Sequence, residues 1–249
     1  MNRLRRIFDE TFEIEKVDSP ELFGICSRIR YNVLCEEGRI PGFDRDQYPE
    51  GLEHDVFDGH AQSFLLRRRA SGEYIGTIRM ILSRDASQRF AIEHCPDHAF
   101  YPGKRDVLER HRHHMAEISR LMILPSYRRR LRDKEFELTL PHPLPSVRER
   151  RLLHPMIGLF KAIIMVTDRE HLQCWCSIME PALYSTLKGL GIHMEPMGPD
   201  IVYHGTRRIY FCHVPDIVRQ VYKTHKDVWT LLTDDGMLLH QQIGKHQAL

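Results

Sequence analysis

Several absences narrow the possibilities before any motif is considered. No stretch of the 249 residues reaches the ~18 apolar positions that a bilayer span needs. Met1 to Lys16 alternates charged residues with single apolar ones and has no apolar core of secretion-signal length. The six cysteines, at 26, 35, 95, 174, 176 and 212, include no CxxC pair and no secreted-framework spacing. These features together imply a protein of the reducing cytoplasm. Excess charge is also missing: 36 basic residues face 34 acidic ones, a net +2, so the molecule as a whole is no polyanion binder. What is plentiful is apolar material, at 42%, enough for a sizeable core and too much for a disordered chain.

The basic residues are unevenly spread. They crowd Arg67–Arg69, Arg128–Arg132 and Arg148–Arg151, and local patches of that kind attract acidic partners.

Along the chain, Phe12 and Ile14 alternate with glutamates as a short first strand. Asp18, Pro20 and Glu21 suit a helix start, and Leu22, Ile25, Ile29 and Val33 give that helix an apolar face to about Glu37. Residues 39–60 read as a polar loop holding Glu53, Asp55 and Asp58. Ser63–Arg67 and Tyr74–Leu82 form a strand pair around the turn at 70–73. Residues 83–115 read as loop with one short helix, and Ala116–Leu124 as a strand that Pro125 closes. The stretch 126–154, dense in arginine and proline, reads as an excursion from the core. Then follow a helix from Pro155, a strand at 172–178, a helix at 181–190, strands near Val202 and 208–214, and an amphipathic helix from Asp216. This order predicts one α/β domain over 1–249 with a mixed sheet, its core at about 12–215 and a helical extension at 216–249.

Three clusters carry candidate chemistry. Glu117, Ser119 and Arg120 open an otherwise apolar strand, where a carboxylate and a guanidinium are costly unless paired or used. Strict alternation would put Glu117, Ser119, Leu121 and Ile123 on one side and Ile118, Arg120 and Met122 on the other. From spacing alone, a structural ion pair explains them equally well. The second cluster is the Glu53–Asp58 run beside Phe57, which as a plain acidic loop would be solvated surface. The third is Gly76-Thr77-Ile78-Arg79, whose arginine interrupts an apolar strand and calls for a carboxylate partner. Cys174 and Cys176 flank Trp175 and fit one buried strand face better than a metal site. His94, His98 and the run His111-Arg112-His113-His114 have no ligand spacing on a defined element, so no metal is expected. The Arg128–Lys134 run lacks the interleaved aromatics of a nucleic-acid surface.

In order and spacing, Arg30 with Leu34, the Glu53–Asp58 run, Gly76–Arg79 and Glu117-x-Ser119-Arg120 resemble the signature of acyl-homoserine-lactone synthases. Pro181–Tyr184, Gly191-Ile192, Gly198-Pro199 and Tyr203–Arg207 resemble the acyltransferases associated with the PEP-CTERM/exosortase system, distant relatives of those synthases. The resemblance spans about residues 12–215. It implies a GNAT-like fold and an N-acyltransferase with no permanently bound cofactor, which takes acyl carrier protein or coenzyme A thioester as donor and a small amine, such as an amino acid, as acceptor. Arg30, Asp55, Asp58, Arg79, Glu117 and Arg120 match the shared charged set. Leu34 stands where the synthases have an aromatic and Ile40 where they have tryptophan, which argues against a homoserine-lactone acceptor. The same fold also serves N-acyl amino acid synthases, and a silent carrier-protein binder would keep it too.

On this reading Glu117 is the base for the attacking amine. A backbone N–H at Met122 or Ile123 receives the oxyanion. Ser119, Arg120, Arg79, Arg30, Asp55 and Asp58 frame the acceptor, and the helix 156–166 floors an acyl tunnel. No glycine occurs in Arg129–Lys134, where acetyltransferases cradle a pyrophosphate on backbone amides. That gap favours a carrier protein held by Arg128, Arg129 and Arg130, with Arg148, Arg150 and Arg151 nearby.

Overall fold

The charge-alternating N-terminus is a helix, α1 (Arg3–Thr11), that sequence reading did not anticipate. Its single apolar residues fall at helical spacing, so Leu4, Ile7 and Phe8 line up on one buried face with Thr11. A computed structural model describes residues 3–85, 87–130 and 154–239, with the side chains of 128–130 not described. The expected carrier-docking residues, Arg128, Arg129 and Arg130 as side chains and Arg132, Arg148, Arg150 and Arg151 altogether, lie outside the described residues. So does most of the 126–154 excursion.

The other helices are α2 (Pro20–Tyr31), α3 (Asp106–His111), α4 (Pro125–Arg130), α5 (Pro155–Arg169), α6 (Pro181–Lys188), α7 (Val214–Thr224) and α8 (Lys226–Thr233). The strands are β1 (Phe12–Lys16), β2 (Ala61–Arg68), β3 (Tyr74–Leu82), β4 (Met115–Ile123), β5 (Cys174–Met179), β6 (Glu195–Pro196), β7 (Ile201–Val202) and β8 (Thr206–His213). The sheet order is β1-β2-β3-β4-β5-β8-β6, with β7 on β8. Among the described strands only β4 and β5 pair in parallel, and the other pairs are antiparallel. This is the expected mixed α/β sheet. No described helix is long and apolar enough to cross a membrane.

Helix α2 starts one residue later than the sequence suggests. Its cap is Ser19, whose hydroxyl accepts the Leu22 N–H, and not Asp18. It runs on as a wider π-type turn over Asn32–Glu37, so the helical path does reach Glu37.

The two faces of the sheet differ in character. One is covered by α1, α5, α7 and α8 in the main apolar core, so the helices from 214 onward pack with that core. Helix α5, expected as a tunnel floor, is core on nearly every side from Pro155 to Thr167. The other face carries α2 and the segments 39–60 and 83–114, and all of the charged candidates lie there.

Strand β4 is irregular at the decisive point. Thr77 pairs with Met122 and Arg79 with Ser119, so one residue of β3 opposes two of β4. The extra residue is Arg120, held at φ +50°, a left-handed conformation that a non-glycine residue adopts only when its surroundings enforce it. The bulge overturns strict alternation. Arg120 and Met122 join Glu117 and Ser119 on the charged face, while Leu121 and Ile123 turn to the helical core. On the other side of β4 the pairing ends before the bulge is reached. Pairing of β4 with β5 covers only Met115–Glu117 against Cys174–Cys176, so the two parallel strands part just past Glu117.

Gly76 keeps the ladder closed opposite the bulge. A Cβ there would lie 2.7 Å from the Met122 carbonyl oxygen, a backbone atom that cannot step aside. Gly76→Ala should therefore destabilise the protein by about 2 kcal/mol, the usual cost of overpacking. Urea unfolding measures it, and a loss below about 0.5 kcal/mol would contradict the tight β3–β4 contact.

Candidate active site

Three arginines converge on one loop. Arg30 comes from α2, Arg79 from the middle of β3 and Arg120 from the bulge of β4. The loop answers with Glu53, Asp55 and Asp58. Its position is set by Glu53, whose N–H donates to the Ser27 carbonyl of α2 at 3.1 Å, and by a reciprocal cap at the turn 56–60. In that cap Asp55 accepts the Phe57 N–H, and Asp58 accepts the Asp55 N–H.

The pairing is dense. Arg79, with no exposed surface, grips Asp55 at both oxygens (2.5 and 2.9 Å) and also reaches Asp58 at 3.0 Å. Arg30, equally buried, grips both oxygens of Asp58 at 2.9 and 3.0 Å and donates to the Ser63 hydroxyl at 3.1 Å. Arg120 donates to Glu53 at 2.6 Å and to Asp55 at 3.0 Å, with its guanidinium over the Phe43 ring. The Ser119 hydroxyl accepts from Arg79 Nε at 3.0 Å, so Ser119 holds an arginine. The expected partnership of Arg79 and Arg120 with the loop is thus present. Glu53 was left out of the expected site set, yet it is fully buried and central. Charge balance was the available signal, because three arginines need three carboxylates. Ser63 was also missed, and only its register opposite Arg79 reveals it.

Burial alone would raise the proton affinity of Asp55. The hydrogen bond and charge of Arg79, then the charge of Arg120, outweigh burial and hold Asp55 below the ordinary carboxylate range. Asp58 follows the same logic, with burial outweighed by Arg30 and Arg79. Arg79 is pushed above its ordinary value, since its aspartates outweigh the cost of burial.

Glu117 is treated differently on the same face. It is fully buried; one oxygen accepts the Ile92 N–H at 3.0 Å, and the other has no hydrogen-bond partner among the described residues. Its β-sheet neighbours are Ile81 and Cys176, within an apolar cluster that includes Phe90, Ile92, Cys95 and Phe211. Burial pushes its carboxyl up to about 7, and the Ile92 N–H and the charges of Arg79 and Arg120 only partly offset this.

Met122 and Ile123 separate as well. Leu124 donates its N–H to the Ile75 carbonyl across the β3 ladder. By alternation Met122 also turns its N–H to β3, while Ile123 points its own into the gap where β5 has parted. Met122 instead packs by side chain with Leu34 and Cys35, beside Ile40 and Phe43. A clasp closes this side. His204, in the β7–β8 turn, bonds the Pro41 carbonyl at 2.7 Å and stacks on Phe43. Gly42, at φ +85°, passes so close that a Cβ would sit 2.6 Å from the His204 ring.

Residues 29–134 match the model of the acetyltransferase (GNAT) domain. The fold is of that class, a mixed sheet flanked by helices. No curated protein matches the chain significantly. Among solved structures, the chain is similar to BjaI, a CoA-dependent acyl-homoserine lactone synthase solved with SAM and isopentyl-CoA. The TM-score is 0.58 at 14% identity, over 94% of this chain and 90% of that one. It is also similar to FeeM, an N-acyl amino acid synthase from uncultured soil microbes (TM-score 0.52, 15% identity, 86% of this chain, 97% of that one). The AHL synthase LasI gives a TM-score of 0.53 at 13% identity, over 81% and 88% of the two chains. The domain match and these neighbours support an acyltransferase enzyme.

A folded carboxyl that keeps its proton to about 7, against ~4.3 in the unfolded chain, stabilises the fold fully only below that lower value. The contribution is lost as pH rises through 7. Glu117→Gln removes this dependence. Its stability relative to the parent should therefore rise by about 2 kcal/mol from pH ~5.5 to pH ~8, at ~1.36 kcal/mol per pH unit up to the folded value. Urea titrations at the two pH values give the difference, and a flat difference would place the Glu117 carboxyl in the ordinary range.

Proposed function

We propose that the chain is an N-acyltransferase that moves an acyl group from a carrier thioester to a small amine, with Glu117 as general base. The observation that carries this reading is the Glu117 carboxylate, buried, half unpaired and tuned to about 7, beside loop carboxylates that are each ion-paired. A base poised near neutral pH can take a proton from an amine and release it again. In the step envisaged, the neutral amine attacks the thioester carbonyl and a C–N bond forms. The amine proton passes to Glu117, directly or through one water. The Ile123 N–H receives the oxyanion. Collapse breaks the C–S bond, and the leaving thiolate takes up a proton. Arg79, Ser119, Arg30, Asp55 and Asp58 position this frame, and Arg120, the least buried of the three arginines, faces the acceptor.

The finer reading is a cytoplasmic enzyme of the exosortase-associated, autoinducer-synthase-like group. Its support is motif resemblance together with the place of one motif: Tyr203–Arg207 forms the turn whose His204 clasps the acidic loop. A second reading, an N-acyl amino acid synthase, is favoured by Leu34 and Ile40, which stand where the synthases carry aromatics, in a cluster beside Arg120 that also holds Met122, Phe43 and Tyr48. The headgroup found by mass spectrometry of lipid extracts from an expressing strain separates the two.

For the donor we favour acyl carrier protein over acyl-coenzyme A. The glycine-free run after Tyr127 offers arginines instead of pyrophosphate-binding amides, and arginines suit an acidic carrier.

Glu117→Gln should fold normally and lower kcat by about a hundredfold or more. In the parent, kcat/KM should rise with pH through about 7 as the base ionises. Unchanged turnover at saturating acceptor removes Glu117 from the mechanism, and carrier binding without any turnover points to the silent binder.

The carrier should outperform acyl-coenzyme A as donor, with an advantage that shrinks as salt screens the docking over ~8 Å at physiological strength. Replacing Arg128, Arg129 and Arg130 by alanine should raise KM for the carrier much more than it changes kcat. Equal use of both donors at all salt concentrations would exclude this role for the arginines.

A further inference from the structure

A second group of reactive side chains lies where strands β5 and β8 begin and end, outside the acyl-transfer frame. His111 ends α3, Cys174 opens β5 and His213 closes β8. More than a hundred positions separate the first from the last, and none of the three is paired by spacing. Yet one ligand atom from each lies within 4.8 Å of the other two. We propose that His111, Cys174 and His213 form a binding site for a zinc-type divalent ion, with the fourth position open to water.

The spacing is close to what such an ion requires. With Zn–S of about 2.3 Å and Zn–N of about 2.0 Å, a tetrahedral site sets sulfur and nitrogen roughly 3.5 Å apart. Cys174 Sγ and His213 Nδ1 stand 3.3 Å apart. His111 has to approach by little more than 1 Å, and as the last residue of a short helix it can do so by side-chain rotation. The rings are already arranged. His111 and His213 lie nearly perpendicular at 5.2 Å, and both pack on Phe211, at 5.6 and 5.0 Å.

Access and donor chemistry agree with the geometry. Cys174 is fully buried and forms the floor, His111 is half-buried, and His213 is exposed, so an ion can enter from solvent and meet the sulfur at the back. One thiolate and two imidazoles suit zinc and select against magnesium and calcium, which prefer oxygen. A bound ion would tie α3, part of the 83–114 segment, to the sheet. Cys174 lies opposite Met115, two residues from Glu117 on the same face, about 7 Å along the strand. The ion would therefore pin the cover over Glu117 without touching it. His113 and His114, adjacent in sequence, are not part of the cluster.

The test uses the full chain without a histidine tag, stripped with chelator under reducing conditions and titrated with Co²⁺ as a spectroscopic stand-in. We expect one equivalent to produce a near-ultraviolet thiolate-to-cobalt charge-transfer band and intense visible bands of tetrahedral Co²⁺, both displaced by Zn²⁺. Cys174→Ser should abolish the charge-transfer band, and Cys176→Ser should retain it. His213→Ala, at an exposed position that keeps the fold, should weaken binding by at least ~100-fold, with His111→Ala doing the same. Zn²⁺ should raise the Tm of the parent and leave that of His213→Ala unchanged. A chain that gives no charge-transfer band, a band that survives Cys174→Ser, or binding indifferent to His213→Ala would overturn the site and leave a thiol–imidazole hydrogen bond.

Discussion

Arg79 sits in the middle of a sheet with no exposed surface, where an unpaired guanidinium would cost several kcal/mol. Its two aspartates remove that cost but create another, because Asp55 and Asp58 lie close enough to repel each other. Arg30 and Arg120 resolve this, and Glu53 completes the balance. The result is a neutral lattice of three guanidiniums and three carboxylates that joins α2, β3, β4 and the 53–60 loop. Each carboxylate is shared between two arginines, so removing one member would leave a buried net charge on the rest, which is costly.

Glu117 gains its character by exclusion from that lattice. It lies on the same face, two residues from Ser119, but its surroundings are Ile81, Cys176 and the apolar cover of 83–114. The aspartates are held ionised and Glu117 is pushed toward neutrality. On the proposed reading, carboxylates driven in opposite directions by their environments divide between framework and proton transfer. A second network, the buried pair Arg112 and Glu93 with the exposed Glu109, holds that cover together, and the Glu93 turn supplies the Ile92 N–H that Glu117 accepts.

The bulge at Arg120 links the two. It swings a guanidinium to the loop carboxylates, moves Met122 to the same face and lies where β4 has already parted from β5. The interruption in pairing turns the Ile123 N–H, the proposed oxyanion donor, toward the gap and not toward a strand partner.

Much of the architecture was legible in the sequence. The strands around the 70–73 turn, the helix from Pro155 and the mixed sheet follow from apolar periodicity and from glycine and proline punctuation, which are local properties. The pairing of Arg79 and Arg120 with the loop carboxylates was legible too, because charges in apolar strands demand partners, while Arg30 was marked only by its resemblance to the synthase signature. Helix α1 was not, since its single apolar residues resemble alternation until 3.6-residue geometry aligns them. Strict alternation likewise misplaced Arg120 and Met122, because a bulge is decided by what lies across the ladder. The high proton affinity of Glu117 and the meeting of His111, Cys174 and His213 were invisible for the same reason. Burial and convergence depend on residues far apart in the chain, and only tertiary packing brings them within a few ångströms.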